Sequence, residues 1–157
     1  MVPVRRLNHA VLYVRDVDRA VAFYRDVLGM AEVAREAAGR AAFLRAPESG
    51  RHHDLGLFAV GANAPSPPPG SVGLYHLAWE VERIEDLVAL RQQLGDVGAL
   101  VGQSDHGATK SLYGRDPDGN EFEVMWQVPH EEWGADADGA PILPLDLDAE
   151  VARYGGR

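Results

Sequence analysis

The sequence predicts an α+β fold in which two tandem βαβββ modules form a curved mixed sheet around a cavity. The main observation is an internal repeat: His9 and His76 occupy the second position of matching strands, 67 residues apart, and Val17 and Ile84 have the same separation near the starts of the helices that follow. Residues 61–70 between the copies contain four prolines, which neither a helix nor a central strand accommodates. A repeat of this length indicates two copies of one supersecondary unit.

The first module is expected at about residues 7–60. Residues 8–14 alternate in polarity, which predicts a strand with His9 on the face opposite its more aliphatic side chains. A helix should follow, with Asp16 or Asp18 as the N-cap, apolar residues at helical spacing and Gly29 at its end. Three more strands are predicted at about residues 31–37, 40–46 and 53–60.

The second module is expected at about residues 72–128, after the linker at 61–70. A strand over residues 75–81 carries His76, and the apolar stripe from Ile84 to Leu94 predicts a helix that Gly95 ends. Strands are predicted at about residues 99–103, 110–114 and 121–127. Each module thus has one helix to cover one face of its sheet, and the other face must pack on the second copy or line a cavity.

A tight turn precedes the last predicted strand. Residues 116–120 read Asp-Pro-Asp-Gly-Asn, in which proline fixes φ, glycine tolerates positive φ and the Asp and Asn side chains bond to nearby backbone. Beyond the turn, Glu121 and Glu123 share one face of the strand, opposite Phe122 and Val124. Alternation alone does not distinguish the two glutamates.

The tail, residues 129–157, differs in composition from both modules. Its first half is acidic, and its second half has apolar residues at Leu143, Leu145, Leu147, Val151 and Tyr154. This pattern predicts a short amphipathic segment that packs on the body of the protein or on a partner subunit. No chemistry is expected in it.

Composition excludes several classes of function. An apolar fraction of 46% with 25% charged residues is typical of a soluble folded protein. The net charge of −9 argues against binding to nucleic acid or to an anionic membrane, and the absence of cysteine excludes disulfides and thiolate chemistry. The start of the sequence lacks the apolar run of a secretory signal, so we expect a cytoplasmic protein.

The repeated histidines suggest a metal site. Two histidines at matching positions of a duplicated unit, both opposite the helix-packing face, are hard to explain by packing, because each would need a hydrogen-bond partner if buried. A carboxylate from the last strand would complete a two-histidine, one-carboxylate triad, which leaves coordination positions open. Open positions indicate a catalytic rather than a structural metal.

These residues resemble the vicinal oxygen chelate superfamily, which includes glyoxalase I, extradiol dioxygenases, fosfomycin-resistance proteins and bleomycin-binding proteins. The resemblance covers about residues 7–128 and rests on the segments NHAVLYV, YHLAWEV and DPDGNEFE. It implies that His9, His76 and Glu123 hold a divalent metal in the predicted cavity. Fe(II) is the expected ion, and Mn, Ni, Co or Zn would suit the same groups.

The segment before the turn is similar to the small, catechol 2,3-dioxygenase-like extradiol enzymes, where a His-Gly-x-Thr stretch and a tyrosine precede the ligand glutamate. Here they are His106-Gly107-Ala108-Thr109 and Tyr113. The resemblance implies that His106 and Tyr113 are catalytic, with His106 accepting and returning a proton while Tyr113 binds a substrate oxygen. The substrates would be an aromatic diol and O₂, and the protein is expected to be a homodimer.

Two alternatives remain at this point. A glyoxalase-like lyase or isomerase would use the same metal without O₂, but glyoxalase I usually has a fourth ligand, a glutamate, in a segment where this chain has His52, His53 and Asp54 and no glutamate. Asp54 could substitute, and only one of the two consecutive histidines could reach a cavity. A small-molecule binding protein of the bleomycin-resistance type generally lacks the metal triad.

Overall fold

A computed structural model describes residues 1–156 of the chain and contains eight strands, three α-helices and two short 3₁₀ helices. The chain divides into two compact units, the first from Met1 to Pro68 and the second from Pro69 onward. Each unit contains one βαβββ module, so the predicted order of elements is confirmed.

The first unit contains one helix and one mixed sheet. Its elements are β1 (Ala10–Val14), α1 (Val17–Leu28), β2 (Ala31–Arg35), β3 (Ala41–Arg45) and β4 (Leu55–Ala59). The strand order is β1-β4-β3-β2, with β1 parallel to β4 and the other pairs antiparallel. The predicted first strand began too early, because Asn8 and His9 precede β1 rather than lying within it.

The second unit repeats this arrangement. Its elements are β5 (His76–Glu80), α2 (Ile84–Asp96), β6 (Leu100–Asp105), β7 (Thr109–Arg115) and β8 (Glu121–Gln127). The order β5-β8-β7-β6 again has one parallel pair, β5 with β8. The mixed sheet expected from the sequence therefore consists of two four-stranded sheets, one in each module.

The ends of the helices follow local chemistry. The Asp16 carboxylate caps α1 by accepting a hydrogen bond from the backbone N–H of Arg19 at 2.9 Å, and Gly29 ends the helix in the left-handed conformation with φ of 66°. The expectation that Gly95 ends α2 is wrong. The helix continues to Asp96, and the left-handed residue that follows is Gly98, with φ of 67°.

Each helix covers one face of its own sheet with apolar side chains. In the first unit the fully buried residues include Val14, Tyr24, Leu44, Leu55 and Leu57, and in the second they include Ile84, Leu87, Leu94, Leu112, Phe122 and Val124. Burial of such side chains stabilises a fold by about 1.5–3 kcal/mol each. The opposite face of each sheet is not covered by the helix of its module.

The residues after β8 belong to the second unit and pack on its βαβββ module. Two 3₁₀ helices (His130–Glu132 and Gly134–Asp138) lead to α3 (Leu147–Tyr154), and Leu145, Leu147 and Tyr154 are buried. The Tyr154 ring lies 5.0 Å from the ring of Trp126 on β8. None of the helices in residues 1–156 is long and apolar enough to cross a membrane.

Candidate active site

The Asp-Pro-Asp-Gly-Asn turn fixes the start of β8 and thereby the position of its glutamates. The buried Asp116 carboxylate accepts hydrogen bonds from the backbone N–H groups of Asp118 and Asn120 and from the Asn120 amide, all at 2.9 Å. Gly119 has φ of 89°, a conformation that glycine adopts without a steric penalty. The turn thus sets the register of β7 against β8.

That register places Tyr113 opposite Glu123 and Ala78 beside Glu123 on the other side. Glu123 is only 8% exposed, and its Oε2 lies 3.2 Å from Nε2 of His76, the first residue of β5. Its Oε1 accepts a hydrogen bond from the Tyr113 hydroxyl at 3.3 Å. Glu121 instead pairs with Arg115, at 3.1 Å. The two glutamates that alternation could not distinguish therefore have different partners.

His106 joins the same group from the turn between β6 and β7. Its Nε2 lies 2.7 Å from the Tyr113 hydroxyl, and its Nδ1 lies 2.7 Å from the carbonyl oxygen of Pro141. The turn is held by Gly107, which has φ of 73° and packs so closely on Asp136 that a Cβ at this position would overlap the Asp136 side chain. Four of the five predicted site residues are thus in one cluster.

A pocket of about 600 Å³ opens over this cluster. Its polar lining includes His76, His106, Tyr113 and Glu123, together with Arg115 and Glu121. Its apolar lining includes Tyr75, Val101 and Ile142, which are 76%, 48% and 78% exposed. A pocket that combines apolar side chains with convergent polar groups is typical of a small-molecule site. Ile142 belongs to the tail, where the sequence suggested no chemistry.

The Tyr113 hydroxyl is held in its neutral form. Burial, the negative charge of Glu123 and the hydrogen bond to Glu123 raise the pKa of Tyr113 to about 12. The phenol therefore keeps its proton at neutral pH, and that single proton serves one of two acceptors, Glu123 Oε1 or His106 Nε2. The cluster can move a proton along this chain of hydrogen bonds.

His9 is in the first unit, immediately before β1, and is exposed. Its Nδ1 lies 2.9 Å from the side-chain oxygen of Asn8, an acceptor, so Nδ1 donates and the lone pair of the neutral ring is on Nε2. Its ring lies 4.6 Å from that of His53. The burial of His53, with the charges of His9 and His52, lowers the pKa of His53, which favours a neutral ring.

The two predicted ligands in the second unit have the chemistry that a divalent metal requires. Across residues 1–156 no three His, Asp or Glu side chains lie close enough together to hold a metal ion. Of the three expected ligands, His76 and Glu123 lie together in the second unit, and His9 is in the first. Within the described chain no Lys or Arg forms an ion pair with Glu123, and the buried Nδ1 of His76 has no hydrogen-bond partner. A buried carboxylate beside an imidazole, without a protein cation to pair with it, suits a divalent cation.

The corresponding positions of the first module have no such chemistry. There Val11 pairs with Gly56 and Gly56 with Phe43, whereas the second module has Ala78 beside Glu123 and Glu123 beside Tyr113. A Cβ at Gly56 would lie 3.3–3.6 Å from side chains of Val11, Phe43 and Phe58, so the space is already apolar and filled. The sheet of the first unit has no carboxylate at the position equivalent to Glu123.

Asp54 makes hydrogen bonds within its own loop. It is 5% exposed and accepts hydrogen bonds from the backbone N–H of Ala46 at 2.9 Å and from Arg51 at 3.1 Å. Although burial opposes the shift, hydrogen bonds from Ser49, Ala46 and Arg51 lower the pKa of Asp54. It therefore holds the loop before β4 rather than presenting a free carboxylate.

Comparison with known proteins identifies the family. Residues 6–124 match the Glyoxalase/Bleomycin resistance protein/Dioxygenase superfamily model. The chain belongs to this superfamily. The resemblance inferred from its histidines and from its last turn is therefore confirmed.

Members with different activities are similar to this glyoxalase/dioxygenase-superfamily chain. It is 34% identical to biphenyl-2,3-diol 1,2-dioxygenase 3 of Rhodococcus globerulus, over 99% of this chain and 86% of that protein. It is 30% identical to a manganese-dependent 2,3-dihydroxybiphenyl 1,2-dioxygenase of Geobacillus genomosp. 3, over 80% of this chain but only 38% of that protein. The crystal structure of a lactoylglutathione lyase from Agrobacterium tumefaciens has 28% identity and a TM-score of 0.58, and the match covers 79% of this chain and 95% of that one.

Sequence reasoning missed the contribution of the tail. The Pro141 carbonyl that contacts His106 is a backbone group, and no residue type marks such a contact in a sequence. Leu143 and Leu145 did indicate a docking segment, and Leu143 forms an isolated antiparallel bridge with Asp105, next to His106. A leucine pattern indicates that a segment packs, but it does not indicate what the backbone between the leucines contacts.

Proposed function

We propose that this protein is an extradiol-type dioxygenase that cleaves a catechol-like ring with O₂. The observation that carries the proposal is the hydrogen-bonded row of His106, Tyr113 and Glu123 beside His76, in the lining of a pocket that also has apolar side chains. In this arrangement His76 and Glu123 would bind the metal, and His106 would accept and return a proton. The two similar dioxygenases support this choice of reaction.

His76, Glu123 and His9 would hold the metal. His9 Nδ1 donates a hydrogen bond to Asn8, which leaves Nε2 to bind the metal. Metal-ligating histidines usually donate their other ring N–H to an acceptor in this way. Fe(II) is our first choice, and Mn is an alternative that the manganese-dependent relative supports. When bound, a divalent metal supplies charge stabilisation and brings diol and O₂ together in one site.

The remaining steps belong to the chain's own residues. A catechol would lie in this pocket, with one hydroxyl near His106 and Tyr113. His106 Nε2 accepts the proton of that hydroxyl, and the neutral Tyr113 donates a hydrogen bond to the substrate oxygen. After both oxygen atoms of O₂ have entered the product and the ring bond next to the diol has opened, His106 returns the proton.

The absence of a fourth carboxylate favours this reaction over a glyoxalase-like one. The position equivalent to Glu123 in the first module is Gly56, and Asp54 is bound to Ala46 and Arg51. The metal would then keep the open positions that two substrates require. The similarity to a lactoylglutathione lyase makes the lyase reaction the alternative to test. We further propose that the protein acts in the cytoplasm as a homodimer.

Oxygen uptake tests the proposal. Protein loaded anaerobically with Fe(II), and separately with Mn(II), is mixed with catechol or 2,3-dihydroxybiphenyl in an oxygen-electrode cell while visible absorbance is recorded. We expect uptake of one O₂ for each ring opened, together with a coloured product. Metal-dependent conversion of a glutathione hemithioacetal without oxygen uptake would instead establish the lyase. Failure to retain either metal would point to a binding protein.

A further inference from the structure

Residues 139–147, here called the C-terminal strap, include Leu143, which pairs with the edge strand β6 of the second-unit sheet, and Ile142, which lines the pocket. Leu143 exchanges two backbone hydrogen bonds of 2.9 Å with Asp105 on β6, and the Gln103 side chain donates to the carbonyl oxygen of Leu145 at 2.9 Å. Leu145 and Leu147 are buried on either side of the N-cap residue of α3. The strap is therefore fixed at several points rather than resting loosely on the surface.

A second group of contacts anchors the helix that follows the strap. The Lys110 side chain is 5% exposed, and its ammonium lies 2.5 Å from Asp105 and 3.6 Å from Glu150 on α3. Lys110, near the start of β7, thus contacts both β6, the strand that pairs with the strap, and α3. Breaking a buried pair of this kind is costly, because a charge is left without its partner.

The strap brings two groups to the pocket. The Pro141 carbonyl oxygen lies 2.7 Å from His106 Nδ1, and the next side chain, Ile142, lines the pocket together with Tyr75 and Val101. A carbonyl oxygen only accepts, so Nδ1 must carry the hydrogen. In a neutral ring this leaves the lone pair on Nε2, which is the nitrogen that faces the Tyr113 hydroxyl.

We propose that the C-terminal strap is part of the active site: Pro141 is a positioning residue whose carbonyl holds His106 with its basic nitrogen toward Tyr113, and Ile142 selects diols that carry an apolar substituent. This inference rests on the proposed function for the identity of the substrate, but the orientation of His106 does not depend on turnover. Without the carbonyl, the ring could rotate or take the other tautomer, and Nε2 would no longer be a fixed proton acceptor.

The tautomer is tested in the full-length, metal-free protein by ¹⁵N NMR of labelled histidine, at a pH where the rings are neutral. The His106 signals are assigned by their loss in His106→Asn. We expect a protonated Nδ1 and an unprotonated Nε2, the opposite of the tautomer that free histidine prefers in water. A protonated Nε2, or a rapidly exchanging mixture, would overturn the positioning role whatever the enzyme's reaction.

A backbone ester at residue 142, introduced as the α-hydroxy analogue of isoleucine, weakens the Pro141 carbonyl as an acceptor and leaves every side chain in place. We expect the His106 Nδ1–H to exchange faster with water in this variant, with unchanged folding by circular dichroism. An unchanged Nδ1–H exchange rate would show that the carbonyl does not hold the ring.

The selectivity role is tested with Ile142→Ala, and Leu143→Ala is the matched control, because Leu143 is the neighbouring, 52% exposed side chain outside the pocket lining. Dissociation constants are measured anaerobically for catechol and for 2,3-dihydroxybiphenyl. Ile142→Ala should weaken binding of the aryl-substituted diol by about tenfold more than binding of catechol, because removing a few carbons from an apolar contact usually has an effect of this size. Equal losses for both diols, or the same loss in Leu143→Ala, would contradict the proposal.

Discussion

His76 Nε2 and Glu123 Oε2 lie 3.2 Å apart, across the parallel pairing of β5 with β8. Both atoms are metal-ligating types. The carboxylate is buried, and the pairing of the two strands fixes the separation before any ion binds. A site preorganised in this way avoids the cost of ordering its ligands on binding.

Glu123→Gln should therefore weaken metal binding by at least about tenfold, because the charge that attracts the cation is lost. Metal retained after gel filtration, measured by elemental analysis, checks this. Glu121→Gln is the matched control, two residues away on the same strand face but paired with the exposed Arg115, and it should retain metal. Equal metal loss in both variants would remove the distinction between the two glutamates.

His106→Asn should lower kcat by about 10²–10⁴-fold while metal content stays at the wild-type level, because the change removes a proton acceptor and not a ligand. Steady-state oxygen uptake and elemental analysis on the same sample give the two readings. His130→Asn, in the tail beside Trp133, serves as a control for the substitution itself. Parallel loss of metal and activity in His106→Asn would place the residue among the ligands instead.

Tyr113 predicts a specific alkaline instability. Its pKa is raised from 10.0 to about 12 in the folded protein, so between these values the unfolded chain loses the phenol proton while the folded chain keeps it. The free energy of unfolding should fall as pH rises from about 10 to about 12. Urea titrations at several pH values measure this slope. Tyr113→Phe should reduce it, whereas Tyr13→Phe, at an exposed position, should leave it unchanged.

Asp54→Asn separates a structural role from a metal-binding one. Removal of the charged acceptor for Ala46 and Arg51 should lower the free energy of unfolding by about 1–3 kcal/mol at neutral pH, with metal content unchanged. Because the folded-state pKa lies below 3.8, this contribution is present above that pH and is lost as pH falls further.

Denaturant unfolding at pH 7 and pH 3 checks this, and Asp138→Asn, at an exposed position, is the control. A loss of metal from Asp54→Asn would revive the fourth-ligand hypothesis.

Much of this architecture follows from short-range patterns. Alternation placed the strands of both modules to within a few residues, and helical spacing, with Asp16 or Asp18 as the N-cap and Gly29 at the end, placed the first helix. The end of the second helix was missed, because a glycine in a helix lowers stability only modestly and Gly95 is tolerated there.

The candidate site was less fully predictable. The partners that separate Glu121 from Glu123 come from the register of three strands, which alternation does not encode. The contact between His106 and Pro141 spans 35 residues and uses a backbone atom. The sequence therefore indicated the candidate residues of the second unit, whereas the contact of His106 with the tail is visible only in the folded chain.

The apolar trio of Val11, Gly56 and Phe43 in the first module has a quantitative consequence. An ancestral duplication would have produced two equal half-sites, but only one copy now carries a carboxylate at this position. The chain as it stands should bind one equivalent of metal and not two. A titration with Mn(II), in which electron paramagnetic resonance measures the free ion, would count the bound equivalents directly. One bound equivalent would show that only one of the two modules has kept a metal-binding carboxylate.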